Sequence, residues 1–156
     1  MCPRPVQRAP RRKARLADLL DRARAAGIRL SPARQVILST LLDLDTHPTA
    51  DEVYAAACVE DPGLGRATVF RALDALTEAG ILTKALHAGA AVRYDIRAQP
   101  HHHLVCTRCE TIIDILDDRL DRLVLPDTSN LGFHVANAQV QLRGICQSCR
   151  NKEKSS

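Results

Sequence analysis

The feature that most constrains this chain is a pair of C-x-x-C knuckles, Cys106/Cys109 and Cys146/Cys149, set apart by the 110–145 interval. Two such knuckles supply four thiolates. That set closes a zinc tetrahedron with no position left for water, which is the arrangement of a structural rather than a catalytic site. Independent redox pairs are the competing reading. They fit less well, because neither pair sits at a helix N-terminus behind a strand. Cys58 lies on an apolar helix face and reads as a small buried hydrophobe, and Cys2 carries no assignment.

Ahead of the knuckles the periodicity is helical. Leu16, Leu19, Leu20 and Ala23 recur at helical spacing up to Gly27. Ser31-Pro32 opens a second helix striped by Ala33, Ile37, Leu41 and Leu44, and Thr49 with Glu52 forms a capping box for a third. A fourth, after Pro62-Gly63, buries Val69, Leu73 and Leu76 and ends at Gly80. Residues 81–96 then read as a hairpin turning near Gly89. Helices followed by a two-stranded ribbon predict a winged helix, with Arg66, Phe70 and Arg71 turned from the buried face toward a major groove. The plain alternative is a helical bundle with ordinary exposed residues.

Beyond Gln99 the period changes to two. His101–Cys106, Thr111–Ile115 and Phe133–Ile145 read as strands, with a helix from Asp118 to Leu125 stopped by Pro126. The fold class is therefore α+β: a winged helix followed by a small α/β dimerisation domain with a four-cysteine zinc site. The expected boundaries are a disordered basic arm at 1–15, the winged helix at 16–88, a hinge at 89–98, the dimerisation and metal-binding domain at 99–150 and a tail at 151–156. So small a second domain needs metal and self-association to be stable.

Charge and composition narrow the partner. Residues 1–15 hold Arg4, Arg8, Arg11, Arg12, Lys13 and Arg15 with no acid, although the whole chain carries only +4. Such an arm fits phosphate contact, with Arg12 and Lys13 nearest the domain, or else a solubilising tail. Aromatic residues are 3% of the chain, too few for single-strand stacking platforms, so the expected nucleic acid is duplex. The longest apolar run, 53–59, is far shorter than a membrane span, and no apolar signal core precedes it, so a cytoplasmic location is expected.

A second set of metal-ligating residues lies in the strands. His101 and His103 project to one side of a strand, while Asp95 and Asp114 interrupt apolar alternation in neighbouring ones. Two imidazoles and two carboxylates make a nitrogen and oxygen site suited to Fe(II), Mn(II), Co(II) or Zn(II). His102 faces the other way, free or serving another ion.

Four motifs in order, His47-Pro48-Thr49-Ala50-Asp51-Glu52-Val53-Tyr54, Ala67-Thr68-Val69-Phe70-Arg71-Ala72-Leu73, His101-His102-His103-Leu104-Val105-Cys106-x-x-Cys109 and Gly144-Ile145-Cys146-x-x-Cys149, closely resemble the ferric uptake regulator family over residues 16–150. The resemblance implies a homodimeric, metal-dependent repressor that binds an AT-rich inverted repeat. It implies structural zinc on the four cysteines and a regulatory Fe(II) or Mn(II) on His47, Asp95, His101, His103 and Asp114. DNA contact would fall to Arg66, Thr68, Phe70 and Arg71.

The resemblance also bears on the signal. Zinc-sensing members place a cysteine in the wing, where 86–95 has none; iron sensors carry glutamates where Asp95 and Asp114 stand, and peroxide sensors carry aspartates. Nickel sensors arrange their histidines differently around the His101 segment. The implied type is peroxide-responsive, acting by Fe(II)-catalysed oxidation of His47 or His101, with an iron- or manganese-responsive repressor as the alternative. Two departures stand out: Phe70 replaces a common tyrosine, and Ala138 replaces a histidine of an additional metal site near which His102 and Asp121 fall. Against a zinc hydrolase, this sequence has no H-x-E or H-E-x-x-H element to place a general base beside the ligands, and a purely structural zinc protein leaves the helix motif and basic arm unexplained.

Overall fold

The computed structural model describes residues 9–44, 47–85, 91–97, 101–136 and 138–154. The chain forms two compact units, residues 2–98 and 99–156.

In the first unit four helices, α1 (Ala9–Ala25), α2 (Pro32–Leu44), α3 (Ala50–Glu60) and α4 (Arg66–Glu78), precede an antiparallel ribbon of β1 (Thr83–Ala85) and β2 (Arg93–Asp95). Ile37, Leu38 and Leu41 of α2, Val53 and Ala57 of α3, and Val69, Leu73 and Leu76 of α4 make one core with Leu19 and Ala23 of α1. The helix ends are set by local chemistry. Thr49 N–H donates to Glu52 Oε2 at 2.7 Å and Glu52 N–H to Thr49 Oγ1 at 3.2 Å, the reciprocal capping box expected at α3. Gly80 closes α4 at φ +69°, a conformation only glycine adopts without strain. The expected ribbon turn at Gly89 lies outside the described residues.

Helix α1 begins at Ala9 rather than Leu16, so the second half of the expected disordered arm is helical. The cause is an anchor: Arg12 bonds through Nε and Nη2 to the Asp43 carboxylate and through Nη2 to Ser39 Oγ at 2.8 Å, fastening α1 to α2. Residues 1–8 lie outside the described residues. Cys58 is half-buried rather than fully buried, its Sγ donating to Leu64 O at 3.6 Å.

The second unit is a three-stranded sheet in the order β4-β3-β5, formed by β3 (His102–Cys106), β4 (Ile112–Ile115) and β5 (Gln141–Gly144). Strand β3 runs antiparallel to β4 and parallel to β5. The register places His103 opposite Asp114 on one side and Gln141 on the other. Three expectations are corrected here. The helix expected over 118–125 is a single turn, α5 (Asp118–Asp121), with none of its residues buried. A short helix with no buried face lacks the packing that stabilises it, and Leu123, Val124 and Leu125 are left exposed. The strand expected over 133–145 shrinks to β5, because Phe133 is held in a turn by Thr128, whose Oγ1 donates to Phe133 O at 2.8 Å. The segment expected to end in a tail is helical, α6 (Gln147–Lys154), its first turn closed by Arg150 N–H on Cys146 O at 3.0 Å.

Candidate metal centres and nucleic-acid face

The thiolate cluster is built by the ends of the sheet. Cys106 ends β3, Cys109 sits in the turn that leads to β4, Cys146 follows β5 and Cys149 lies in the first turn of α6. Glu110 completes the β3–β4 turn at φ 57°, reversing the chain so that Cys109 comes back over Cys106. The four sulfurs lie within 4.8 Å of one another. Cys109 Sγ and Cys146 Sγ are 3.6 Å apart, far beyond a disulfide bond and close to the roughly 3.8 Å between sulfurs on a tetrahedral zinc. Contrary to expectation, Cys146/Cys149 does sit at a helix N-terminus behind a strand; what sets the redox reading aside is that the two C-x-x-C pairs pool into one four-sulfur cluster.

The electrostatics differ thiol by thiol. Backbone N–H groups of Cys146, Cys109 and Arg108 point at Cys106 and lower its pKa to about 6, with Cys146 N–H at 3.3 Å from the sulfur. Thr111 lowers Cys109 through its hydroxyl, 3.2 Å from Sγ, and its backbone. Cys149 is pushed up to about 12, because hydrogen bonds from its thiol to the Cys109 and Cys146 sulfurs hold its proton in place. Four sulfurs gathered at this spacing, with one already ionised near neutrality, fit a divalent soft cation.

A second group of donors occurs in each unit. Within residues 99–156, His101 Nε2 and His103 Nε2 face each other at 3.0 Å with their rings edge to face, and Asp114 Oδ1 lies 3.7 Å and 3.6 Å from the same two nitrogens. The strand register opposes His103 to Asp114 and so delivers the carboxylate. Within residues 2–98, His47 Nε2 stands 3.7 Å from Asp95 Oδ2 and both side chains are buried. Imidazole nitrogens aimed at a common point beside a carboxylate form a donor set for a borderline divalent metal. His102, on the opposite side of β3, is neither free nor placed as a ligand. Its Nδ1 accepts from Val140 N–H at 3.1 Å and its Nε2 lies 3.0 Å from Asp121 Oδ1, so it carries its proton on Nε2 and ties β3 to α5 and to the entry of β5.

Position 47 is held by residues the sequence reading did not single out. Arg93 of β2 donates through Nη1 to His47 O at 2.8 Å and reaches Glu52 Oε2 at 3.4 Å, while Tyr94 N–H bonds Pro48 O at 2.9 Å. No sequence spacing marks Arg93 for this task, since its partners are more than forty residues earlier.

On α4, Arg71 is exposed, Thr68 and Phe70 are half-buried, and Val69, Ala72, Leu73 and Leu76 occupy the core side. Arg66 Nη2 bonds Asp51 Oδ1 of α3 at 2.7 Å, and the Arg66 guanidinium carbon lies 5.3 Å from the Phe70 ring centre. Lys13 is exposed on α1, whereas Arg12 is committed to Asp43 and Ser39.

Comparison with known proteins adds three likenesses and a family. The ferric uptake regulator family model matches residues 25–143. A peroxide-responsive repressor of Staphylococcus aureus strain Mu50 is 31% identical over 137 residues, spanning 88% of this chain and 93% of that protein. The Vibrio cholerae ferric uptake regulator has a similar structure at 27% identity and TM-score 0.64, covering 81% of this chain and 98% of that one. The Campylobacter jejuni peroxide stress regulator is similar at 26% identity and TM-score 0.60, covering 86% and 98%.

Proposed function

We propose that this chain, which belongs to the ferric uptake regulator family, is a cytoplasmic, homodimeric, metal-dependent transcriptional repressor of the peroxide-responsive type. It is a regulator rather than an enzyme. The observation that carries the reading is the donor chemistry: His101 and His103 converge beside Asp114, and His47 stands beside Asp95, with aspartate in both carboxylate positions and no thiol among them. The likeness to a peroxide-responsive repressor supports the same type.

In this reading Cys106, Cys109, Cys146 and Cys149 hold a structural zinc, and His47, Asp95, His101, His103 and Asp114 hold the regulatory Fe(II) or Mn(II). Because His47 and Asp95 belong to residues 2–98 and the other three to residues 99–156, ligation ties the two units together. The winged helix is α2–α4 with the β1–β2 ribbon, α4 enters the major groove, and the tied dimer matches two half-sites of an inverted repeat. Self-association covers the apolar side chains that 99–156 leaves outside, among them Val124 at 96% exposure, Leu131 at 76% and Phe133 at 70%.

Fe(II) held by these residues would activate hydrogen peroxide and would be catalytic overall. The imidazoles of His47 and His101 are the oxidisable groups there: one gives up two electrons and takes a peroxide oxygen at its C2 carbon, while the second oxygen leaves as water. A 2-oxo ring is a poor ligand, so the tie between the units is lost and DNA is released.

Binding to an AT-rich inverted repeat, with Fe(II), Mn(II) or Zn(II) and before and after mild peroxide, tests the reading together with mass spectrometry. One added oxygen on a peptide containing His47 or His101, in the iron form only, is expected. If those peptides stay unmodified while DNA binding tracks iron or manganese supply, the chain is a metal-responsive repressor. Oxidation falling first on Cys106 or Cys146 would rule out the sensing chemistry.

A further inference from the structure

Arg66 opens α4, the helix assigned above to the major groove, and its side chain is held from two sides. Asp51, in the first turn of α3, takes Nη2 at 2.7 Å, and the Phe70 ring, one turn along α4, lies beneath the guanidinium at 5.3 Å. Both members of the ion pair are more than half exposed, at 61% and 63%. An exposed pair of this kind adds little to stability, and although the first turn of α3 favours a carboxylate at Asp51, that preference does not require it to pair with Arg66. The α3 N-terminus is capped by Thr49 and Glu52, independently of Asp51.

A carboxylate beside a DNA-facing helix repels phosphate, yet here its charge is spent on one particular arginine. For a paired guanidinium, contact with the DNA backbone only exchanges one anion for another and releases Asp51 into the field of the polyanion. A base edge is different. Guanine O6 and N7 are neutral acceptors in a plane that suits the arginine fork, and a guanidinium has five N–H donors, enough to keep Asp51 on one edge and bond guanine with another. The Phe70 ring beneath the guanidinium restricts where that second edge points.

We infer that Asp51 is a specificity-determining residue, holding Arg66 against Phe70 so that it reads a guanine edge and is withheld from the phosphate backbone. The inference rests on the duplex-DNA reading above and deepens it.

The test uses the full chain loaded with Mn(II), a duplex enriched from a random pool by the wild-type protein, and a scrambled duplex of the same composition, each titrated by fluorescence anisotropy at several KCl concentrations. Asp51→Asn is expected to bind the scrambled duplex several-fold more tightly, with a log–log salt slope steeper by about 1.8, the signature of one added phosphate contact from each half of the dimer. The preference for the enriched duplex narrows by a similar factor. Adding Arg66→Gln to Asp51→Asn returns the scrambled affinity and slope to wild-type values. An Asp51→Asn variant with unchanged scrambled affinity and slope overturns the inference. So does equal weakening on both duplexes, which marks Asp51 as merely structural. If the wild-type protein enriches no duplex, the DNA reading itself falls, and this inference with it.

Discussion

Arg93 Nη1 donates to the main-chain carbonyl of His47 at 2.8 Å, so a residue of the ribbon holds the backbone that carries a proposed regulatory ligand. The same strand carries Asp95 two residues on, and Thr49 pairs with Arg93 through an isolated antiparallel bridge. Displacing β2 therefore displaces both His47 and Asp95.

Arg93→Ala is expected to lower stability by about 1.5–3 kcal/mol, the range for a hydrogen bond to a charged group, and to weaken Mn(II) binding as well. Urea unfolding and a Mn(II) titration on the same preparation measure the two effects. A variant that loses stability but binds Mn(II) like the wild type would show that Arg93 supports the fold without positioning His47.

The four-cysteine cluster should retain about one zinc per chain through dialysis that strips the regulatory metal, and Cys106→Ser should lose it and yield a monomer or an unfolded second unit. Proton linkage has a definite sign. At pH 7 the metal-free chain already holds Cys106 largely as thiolate, its pKa being lowered to about 6, and Cys149 as thiol, its pKa being raised to about 12. Zinc uptake should thus release fewer than four protons, affinity should rise with pH, and it should fall steeply below about pH 6 as Cys106 protonates. A pH-indicator dye counts the protons, and an uptake with none released would refute thiolate ligation.

Arg71 is exposed on α4, opposite the buried Leu73 and Leu76. Arg71→Ala should reduce operator binding by about 2–6 kcal/mol per dimer, the loss of one bidentate base contact in each half-site, and leave scrambled-duplex affinity less affected. Retained discrimination would count against α4 as the recognition helix.

His47→Ala should keep the zinc and the dimer and abolish metal-activated DNA binding, because it removes a proposed ligand from residues 2–98 while leaving the proposed ligands in 99–156 in place. Small-angle scattering at saturating Mn(II) should give the same envelope for the variant with and without metal. A metal-dependent compaction equal to wild type would eliminate His47 as the coupling ligand.

His102 and Asp121 provide a check on the ligand assignment. Asp121→Ala should lower thermal stability modestly, by about 1 kcal/mol or less given that Asp121 is half exposed, and leave the bound metal unchanged at both centres. A metal deficit in this variant would make His102 part of a metal site.

The helices were legible because a 3.6-residue apolar stripe has one way to be buried, and Ile37, Leu41, Val69, Leu73 and Leu76 are all in the core. The Thr49 and Glu52 box was equally legible, since a capping interaction is complete within four residues of chain. The cysteine pairs were readable from spacing alone, because two short knuckles can pool four sulfurs wherever the fold brings them.

Tertiary structure decided what depends on distant partners. That Arg12 anchors α1 to α2 was not legible, because Asp43 and Ser39 lie a full helix away in sequence. The 118–125 and 133–145 segments carry strong local patterns, yet a pattern becomes regular structure only where a surface receives its apolar face, and among the described residues Leu123, Val124, Leu125 and Phe133 stay exposed. Helix α6 was hidden for the opposite reason: it is polar throughout and forms on the far side of the Cys146 knuckle, where Arg150 N–H finds Cys146 O. The partners of His102, the pairing of Arg66 with Asp51 and the hold of Arg93 on His47 are all side-chain geometry between elements. Sequence spacing determines which face of an element a residue occupies; only packing determines what that face meets.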